Sequence, residues 1–398
     1  MKKLIEKLSK LARCVLEALS LLVFTALGRL ARLVIPSCKN IWLIAERGLE
    51  ARDNSYHLFK YVTENHPEIR AVFVIKKGAP DEAKVKKIGE TASRGSAKHR
   101  LMMGAARRLI STHIMGYTPD LGAYFRLDRL RIVPGIKIFL QHGITKDDMA
   151  FMRYPATRAD LLVCAAKPEY DYIAENFGHK KDVVQLLGFC RFDALTRAPK
   201  SAERQILLMP TWREWLALHD GGSFTDTEYC KTYKALLKSK RLADLLEKYD
   251  YTLAFFPHHE MQRFIGSFSS EGRVRVLSES VADVQALLIS SSVLITDYSS
   301  VFFDFAYMNK PEIFYQFDET EFRARQYKEG YFSYRRDAFG AVVAKEDELL
   351  SELEKILENK CETESVYTAR ADAFFGIRDC GNCERNYEAI LKTEKHRE

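Results

Sequence analysis

The sequence predicts an α/β protein built from two Rossmann-like domains, with an amphipathic helix ahead of them. From residue 41 onward, short apolar β-rich runs alternate with amphipathic helical segments, which is typical of a parallel sheet covered by helices. The alternation starts again after the polar, proline-containing segment 197–204, which we interpret as a linker. A chain of 398 residues also exceeds the usual size of a single core.

The composition, with 47% hydrophobic and 29% charged residues, is that of a folded globular enzyme. The net charge of +7 is concentrated near the N-terminus, because residues 1–40 hold eight basic and two acidic side chains. The rest of the chain is nearly neutral, which argues against a basic nucleic-acid-binding protein. The eight cysteines lack paired spacings except for Cys380 and Cys383, so we expect reduced thiols in a cytosolic setting.

Residues 1–36 are predicted to form an amphipathic helix at the membrane interface. Apolar residues recur every three or four positions, at Leu4, Leu8, Leu11, Val15, Ala18, Leu22, Ala26, Leu30 and Leu33. The longest uncharged run, 18–28, has 11 residues, whereas a membrane span needs roughly 20 apolar residues. We therefore expect the helix to lie on an anionic membrane surface with its basic side chains toward the headgroups. A core helix or a dimer helix is the alternative.

The two predicted domains cover residues 37–197 and 198–360, and residues 361–398 are predicted to form a C-terminal helical segment. Strands are predicted at 41–45, 71–75, 108–111, 136–141, 161–164, 183–187, 205–209, 252–256, 273–277, 293–296 and 312–315. Helices are predicted at 55–64, 81–88, 228–248, 281–288, 300–308 and 346–359. Two such units place a ligand cleft between them, at the carboxyl ends of their strands.

Polar motifs follow four of the predicted strands, which is where parallel sheets carry their sites. Gln141-His142-Gly143 ends a strand of the first domain, and an imidazole there can accept a proton near neutral pH. A structural histidine fits the same position equally well. In the second domain Arg213 follows a strand, and its planar set of donors suits a phosphate group. Pairing with Glu214 at the surface is the alternative for this arginine.

The third motif is Pro257-His258-His259-Glu260. It argues only weakly for zinc, because the side chains of adjacent residues diverge and no third ligand has a suitable spacing. We therefore expect no metal at this motif, and a single histidine that donates a hydrogen bond to a phosphate.

The fourth motif runs from Thr296 to Asp304, where an apolar strand leads into a turn and then a helix. The first-turn N–H groups of that helix, together with the hydroxyls of Ser299 and Ser300, predict an anion site. Asp304 lies one turn further on, where a carboxylate can accept hydrogen bonds from ribose hydroxyls. The alternative is that Ser299 only caps the helix.

In combination these motifs resemble the CDP-glycerol glycerophosphotransferase family, which contains teichoic-acid primases and polymerases. The similarity extends to the segment Asn309-Lys-Pro-Glu-Ile-Phe-Tyr, to segments that begin at Asn40 and Asp53, and to the ending Asp379–Arg385. It therefore covers residues 40–390. One departure is His259, where the family more often has proline or an aromatic residue, so we assign the functional role to His258.

The resemblance implies a GT-B fold, with an acceptor-side first domain and a nucleotide-donor second domain. It implies transfer of glycerol phosphate or ribitol phosphate from CDP-glycerol or CDP-ribitol, without a further cofactor, to a lipid-linked acceptor at the cytoplasmic face of the cell membrane, releasing CMP. His142 is then the candidate general base and His258 the second candidate catalytic residue. The donor is expected to contact Arg213, Thr296, Ser299, Ser300 and Asp304.

Two other functions are compatible with the sequence. A GT-B glycosyltransferase that uses a nucleotide sugar would share the fold, because a fold does not determine the donor. A non-catalytic, membrane-associated homologue would also share it, although no residue of the four motifs is missing from this chain.

Overall fold

Two parallel sheets form the centres of two α/β domains. A computed structural model describes residues 2–130, 132–198, 203–217, 221–278 and 283–394. The strands of the first half are β1 (Ile41–Ala45), β2 (Arg70–Ile75), β3 (Glu90–Ser93), β4 (Arg108–Ser111), β5 (Ile136–Phe139), β6 (Asp147–Asp148), β7 (Leu161–Cys164) and β8 (Val184–Leu186). Those of the second half are β9 (Gln205–Leu208), β10 (Thr252–Phe255), β11 (Val274–Val276), β12 (Val293–Thr296), β13 (Glu312–Tyr315), β14 (Lys328–Glu329) and β15 (Ala341–Val343).

The strand orders place a topological switch point in each sheet. The first sheet runs β3-β2-β1-β4-β5-β7-β8 and the second runs β11-β10-β9-β12-β13-β15, with every pair in both sheets parallel. The central strands are buried along their whole length because helices cover both faces. In such sheets ligands bind outside the carboxyl ends of the strands, where the order reverses. That rule directs attention to the ends of β1, β4, β9 and β12.

Helices cover both sheets and make up the chain's two ends. The first half has α1 (Lys2–Val34), α2 (Asn54–Asn65), α3 (Glu82–Lys86), α4 (Ala97–Ala105), α5 (Leu121–Arg129), α6 (Tyr154–Thr157), α7 (Lys167–Asn176) and α8 (Phe192–Arg197). The second half has α9 (Gly221–Thr225), α10 (Glu228–Leu237), α11 (Lys240–Lys248), α12 (Val284–Ser290), α13 (Val301–Tyr307), α14 (Glu319–Arg325), α15 (Tyr334–Asp337), α16 (Glu346–Glu358), α17 (Ser365–Phe375) and α18 (Asn382–Lys392). Short 3-10 helices occupy Pro36–Cys38, Ala150–Met152, Glu214–Leu216 and His259–Ser267. The predicted fold class, two Rossmann-like domains with an N-terminal helix, is confirmed.

Helix α1 has one face packed against the first domain and one apolar face exposed. Leu21, Thr25 and Gly28 are buried against α4. The two backbones approach closely, since a Cβ atom at Gly28 would lie 2.4 Å from the carbonyl carbon of Gly104. The opposite face exposes Val15, Leu16, Leu19, Val23, Leu27, Leu30 and Leu33. The alternative interpretation of α1 as a core helix is therefore correct for one face of this helix. The other face is apolar and exposed.

By length and composition alone, Cys14–Val34 is long and apolar enough to cross a membrane. This finding differs from the expectation based on the 11-residue uncharged run. A membrane-spanning helix can contain a few charged side chains, whereas an uncharged run ends at each of them. In the structure this segment is a helix that packs along α4 as part of the first domain. Its buried face is thus occupied by protein.

The two domains are joined at several places. Helix α18 returns to the first domain and packs against α2, and the backbone N–H groups of Asn382 and Cys383 donate to the carboxylate of Asp193 (2.9 Å each). Strand β6 pairs antiparallel with β14 across the domains, and Arg323 forms an ion pair with Asp147 beside it (2.7 Å). These contacts hold the strand ends of the two sheets face to face.

Some elements differ from the sequence-based expectations. The predicted helix 228–248 is two helices, α10 and α11, separated by Ser239, whose extended backbone (ψ 124°) interrupts the first helix and begins the second. Strands β3 and β15 and helices α4, α5, α7, α17 and α18 were not among the individual elements predicted. The predicted helix 281–288 begins at Val284 within the described residues, and positions 281–282 lie outside them.

Candidate active site

The candidate site lies where the carboxyl ends of the two sheets face each other. His142 follows β5 and is turned outward by Gln141, whose left-handed backbone (φ 57°) reverses the chain direction. The Gln141 side chain is buried and donates to the carbonyl of Val163 (2.6 Å), which fixes the turn. The His142 side chain is 61% exposed. The imidazole predicted from the motif is thus presented to the cleft from a rigid base.

His142 is oriented by Asp53, a residue that the sequence analysis did not assign to the site. The Nδ1 atom of His142 lies 2.5 Å from the Asp53 carboxylate. Burial alone would raise the pKa of Asp53, but the charges of His142 and Arg191 hold it well below its usual range. A carboxylate that stays ionised can only accept, so Nδ1 carries the proton in the neutral ring. The Nε2 atom is then left as the acceptor that faces the cleft.

Arg191 connects this pair to the second domain. Its Nη1 atom donates to Asp53 (3.1 Å) and to the carbonyl of His142 (2.9 Å). Its other donors reach both carboxylate oxygens of Asp304 (2.7 and 2.9 Å). The predicted ribose contact of Asp304 is not seen in this arrangement, because Asp304 is buried and both of its oxygens accept from Arg191. In the structure Asp304 instead anchors the arginine that braces His142.

A buried glutamate lies behind the pair. Glu46 follows β1 and accepts hydrogen bonds from the backbone N–H groups of Arg52 (3.0 Å), Asp53 (2.9 Å) and Tyr56 (3.0 Å). Burial, and then the charge of Asp53, raise the pKa of Glu46 to about 8. Glu46 therefore holds the loop that carries Asp53 while staying protonated at neutral pH.

Three further histidines surround His142, one from the first domain and two from the second. The ring of His113, which follows β4, lies 4.9 Å from that of His142. Arg47 bridges the domains, since its Nε donates to Nε2 of His113 (2.9 Å) and its Nη1 lies 3.3 Å from Nε2 of His259. His258 stacks on Trp212 at a centroid distance of 6.2 Å. The structure thus brings together histidines from strand ends of both sheets.

Burial keeps two of these histidines neutral. Desolvation, and then the nearby histidine charge, lower the pKa of His113 and of His258 to about 3 each. The Nδ1 atom of His258 accepts from the backbone N–H of Glu260 (3.3 Å). In a neutral ring the proton must then be on Nε2. His258 can therefore donate one hydrogen bond but contributes no positive charge, whereas Arg47 is an exposed cation at the same place.

The serine turn reaches the cleft through Ser300. A Cβ atom added to Gly143 would lie 2.8 Å from the Ser300 hydroxyl, so the serine touches the loop that carries His142. Ser300 is the residue before α13, and its side chain makes no capping hydrogen bond. Ser299 is mostly buried beside it. Thr296 is fully buried and donates to the carbonyl of Met209 (2.7 Å), so it supports the turn and does not face the cleft.

Arg213 lies beneath the site. The side chain is fully buried and forms ion pairs with Asp297 (2.9 Å) and Asp318 (2.6 Å). Neither the predicted phosphate contact of Arg213 nor the alternative surface pairing with Glu214 fits this position, because the guanidinium is fully buried and does not face the cleft. It joins the ends of β9, β12 and β13, because Asp297 and Asp318 follow the latter two strands. Among the described residues no group of three or more histidine, cysteine or acidic side chains could hold a metal ion.

The sequence analysis missed three residues of this site, His113, Asp53 and Arg191, for different reasons. His113 follows a predicted strand, so the criterion that selected His142 would also have selected it. Asp53 is the N-cap of α2, and a capping aspartate carries no sign of a second partner. Arg191 follows no strand directly, and nothing in the local sequence indicates its contacts.

Two opposed Rossmann-like domains with a polar interdomain cleft define the class of GT-B-type proteins. Among solved structures, the wall teichoic acid polymerase TagF superposes with a TM-score of 0.67 at 19% identity, covering 96% of this chain and 97% of that one. A putative UDP-N-acetylglucosamine 2-epimerase from Listeria monocytogenes superposes with a TM-score of 0.55 at 13% identity, covering 89% and 98%. These likenesses concern the fold alone.

Residues 29–392 match the family described as CDP-Glycerol:Poly(glycerophosphate) glycerophosphotransferase, and the chain belongs to this family of transferases. It is 34% identical over 375 residues to the minor teichoic acid biosynthesis protein GgaB of Bacillus subtilis strain 168, covering 90% of this chain but only 40% of GgaB. It is 23% identical to the teichoic acid glycerol-phosphate transferase of Staphylococcus aureus strain NCTC 8325 / PS 47, covering 93% of this chain and 97% of that protein.

Proposed function

We propose that this chain transfers glycerol phosphate or ribitol phosphate from a CDP-alditol to a lipid-linked acceptor in the synthesis of a teichoic-acid-like polymer. The observation that carries the proposal is the Asp53–His142 pair, which aims Nε2 of His142 into a cleft that also contains Ser300 and His258. Family membership and the relatives named for teichoic acid synthesis support the substrate class.

The reaction is an in-line displacement at the β-phosphorus of the donor. The acceptor hydroxyl attacks, and His142 Nε2 takes its proton as the oxygen–phosphorus bond forms. The bond from phosphorus to the bridging oxygen breaks at the same time, and CMP leaves with that electron pair. General base catalysis of this kind contributes about 10²–10⁴-fold. Asp53 stabilises the imidazolium that results, because its carboxylate faces the opposite ring nitrogen.

The developing negative charge is met by donors from the second domain. His258 Nε2–H and the hydroxyls of Ser299 and Ser300 are suited to the transferring phosphoryl group, since fixed donors in a partly enclosed cleft need no reorganisation. Arg47 supplies the exposed guanidinium at this position, while Arg213 acts from below by fixing the strand ends. No metal or further cofactor enters this proposal.

The decisive experiment offers the purified chain CDP-glycerol or CDP-ribitol with lipid-linked acceptors and identifies products by mass spectrometry. CMP together with an alditol-phosphate adduct supports the proposal, and the better donor identifies the alditol. His142→Ala is expected to lower kcat at least tenfold. Turnover of a UDP-sugar with release of UDP would favour a glycosyltransferase, and no turnover with any activated donor would favour a non-catalytic homologue.

We further propose that the protein is peripheral to the cell membrane on its cytoplasmic face, held there by α1. The support is the exposed row of leucine and valine side chains on one face of this helix and the excess of basic residues in the first 40 positions. An amphipathic helix binds the interface through apolar burial and attraction to anionic lipids. A lipid-linked acceptor would be encountered at the same surface.

A further inference from the structure

A depression lined by four arginines lies at the amino-terminal ends of β4 and β5 in the first sheet, on the side opposite the candidate active site. Arg29 and Arg32 come from the last turns of α1, and Arg107 and Arg108 lie at the start of β4. Residues 134–136 complete the lining, and the depression has a volume of about 520 Å³. His113 and His142 follow the other ends of β4 and β5, so this depression is separate from the catalytic cleft.

The described residues around this depression neutralise its positive charge only in part, through the carboxylate of Asp160, which acts on Arg108 from a neighbouring cavity. Among the described residues none of the four arginines forms an ion pair with a carboxylate; Arg29 donates to the carbonyl of Ile132 (2.8 Å). Burial, and then the charge of Arg107, lower the pKa of Arg108 to about 10. A larger neighbouring cavity shares Arg107 and Arg108 but also contains Asp160, Asp182 and Glu388. The excess of positive charge is therefore confined to the smaller depression.

Arg108 lines this depression as a buried side chain with one N–H group unpaired among the described residues. It is 3% exposed, and its Nε and Nη2 atoms donate to the carbonyls of Ile390 (2.9 Å), Leu391 (3.2 Å) and Thr393 (3.1 Å) at the end of α18. Its Nη1 atom is buried without a hydrogen-bond partner in the part of the chain that the structure describes. Because this atom has almost no contact with solvent, Arg108 contributes its positive charge to the depression and not an accessible N–H group.

The depression adjoins the exposed apolar face of α1. Leu27, Leu30 and Leu33 of that face flank Arg29 and Arg32 along the helix and are about half exposed or more. When such a helix lies in a membrane interface, its apolar side chains enter the acyl region and basic side chains at its flank meet the headgroup phosphates. Guanidinium groups bind phosphate oxygens through paired hydrogen bonds.

We propose that Arg29, Arg32, Arg107 and Arg108 form a phosphate-binding site whose ligand is the headgroup phosphate of an anionic membrane lipid. The site rests on the proposed membrane association and adds selectivity to it. A lipid phosphate held there fixes one edge of the first domain at the bilayer, with α1 lying along the surface.

The test uses the full chain and sedimentation with vesicles of phosphatidylcholine that contain phosphatidylglycerol. Arg32→Gln with Arg107→Gln removes two charges and is expected to weaken binding about 30-fold, at about 1 kcal/mol for each basic residue near the surface. Arg275→Gln with Arg335→Gln removes two exposed arginines of the second domain and is the matched control. Equal binding by the two double variants would overturn the proposal, with circular dichroism verifying that both are folded.

A second comparison separates a phosphate site from general attraction to negative charge. Wild type is expected to prefer phosphatidylglycerol vesicles to vesicles given the same surface charge by oleate. Arg32→Lys with Arg107→Lys keeps the charge and is expected to lose that preference, since lysine lacks the planar set of donors. No preference in the wild type would overturn the site while leaving membrane association intact. Failure of the wild type to bind any anionic vesicle would refute the membrane association itself.

The source of the phosphate is tested with inorganic phosphate at constant ionic strength. If the lipid is the ligand, millimolar phosphate competes only weakly with the vesicles, because it lacks the acyl chains that α1 also binds. Thermal stabilisation by phosphate that is abolished in the glutamine double variant, combined with unchanged vesicle binding, would assign the site to a soluble phosphate and overturn the lipid assignment.

Discussion

The Asp53 carboxylate orients the His142 ring. A substitution at Asp53 therefore tests whether that orientation affects kcat without affecting substrate binding. Asp53→Asn keeps the shape and the ability to cap α2 but removes the charge that fixes the proton on Nδ1. We expect kcat to fall about 10²–10⁴-fold with little change in KM for the donor.

Asp120→Asn is the matched control for this substitution, since Asp120 is likewise the N-cap residue of its helix, α5, and accepts from the backbone N–H of Ala123 (2.7 Å). It should leave kcat unchanged. A kcat for Asp53→Asn within tenfold of the wild type would show that His142 does not depend on this carboxylate.

Glu46 gives the folded protein a distinct dependence on pH. Folded Glu46 keeps its proton up to a pKa of about 8, whereas the ordinary value is 4.5. Between these values the folded state binds more protons than the unfolded state, so the free energy of unfolding falls as the pH rises. The slope from this group approaches about 1.4 kcal/mol per pH unit. Glu46→Gln should remove this contribution to the pH dependence of the unfolding free energy. Urea unfolding at several pH values between about 5 and 8, close to the two pKa values, would measure the change.

The absolute stability of Glu46→Gln is not the criterion, because an amide nitrogen cannot accept from the N–H of Arg52 as the carboxyl oxygen does. The comparison concerns the change in unfolding free energy across the pH range. An unchanged slope in the variant would assign the pH dependence to other groups.

The residues of the site could be predicted from sequence only where their role depends on local context. His142, His258 and Ser300 follow strands directly, and the structure places all three at the cleft. Asp53 is 89 residues from His142, and Arg191 is 138 residues from Asp53. Residues so far apart in the sequence are brought together by the topology of the fold, which the local sequence does not reveal. Arg213 shows the converse, since a strand-end position does not reveal that its side chain turns inward to Asp318.

At the scale of elements, the strands missed from the sequence are the weakly buried ones. β3 and β15 are edge strands of their sheets, and most of their residues are partly exposed. β3 has the sequence Glu-Thr-Ala-Ser with a single apolar residue, and β15 has only three residues, so neither gives the apolar signal that identified β1 or β12. The apolar stripe of α1 likewise predicted a helix but not which face packs on α4.

The exposed face of α1 can be tested without removing the helix. Deletion of α1 would expose the surface of α4 that it covers. A loss of membrane binding could then not be distinguished from unfolding. Leu19→Gln with Leu27→Gln changes two side chains that are 54% and 47% exposed, so the fold should be preserved. We expect vesicle affinity to fall at least about tenfold, because the apolar area that enters the bilayer is reduced.

Val366→Gln with Ile377→Gln is the corresponding control, since these side chains are 46% and 50% exposed on and just after α17. It should leave binding to the vesicles unchanged. If both pairs of substitutions had the same effect, membrane binding by α1 would be excluded.

At the scale of the whole molecule, Arg191 couples His142 to the relative position of the two domains. It contacts Asp53 in the first domain and Asp304 in the second, and all three side chains are buried. Any movement that separates the domains must therefore either break the Arg191–Asp304 pair or carry Arg191 away from Asp53. The geometry of His142 is thus linked to the relative position of the two domains, and under the proposed mechanism we expect proton transfer only when both domains contact the substrates.

A double-mutant cycle of Arg191→Gln, Asp304→Asn and the double variant tests this coupling. Arg191→Gln leaves the buried Asp304 without its partner and Asp53 with His142 alone, and should cost about 3–5 kcal/mol of unfolding free energy. Asp304→Asn in addition removes one of those charges, so the double variant should be more stable than Arg191→Gln alone. Both variants should lose kcat, because Asp53 is no longer braced in either. If the two substitutions contribute additively within about 0.5 kcal/mol, the residues do not act as a pair. Non-additive stability with wild-type kcat would instead show that the pair joins the domains without controlling His142.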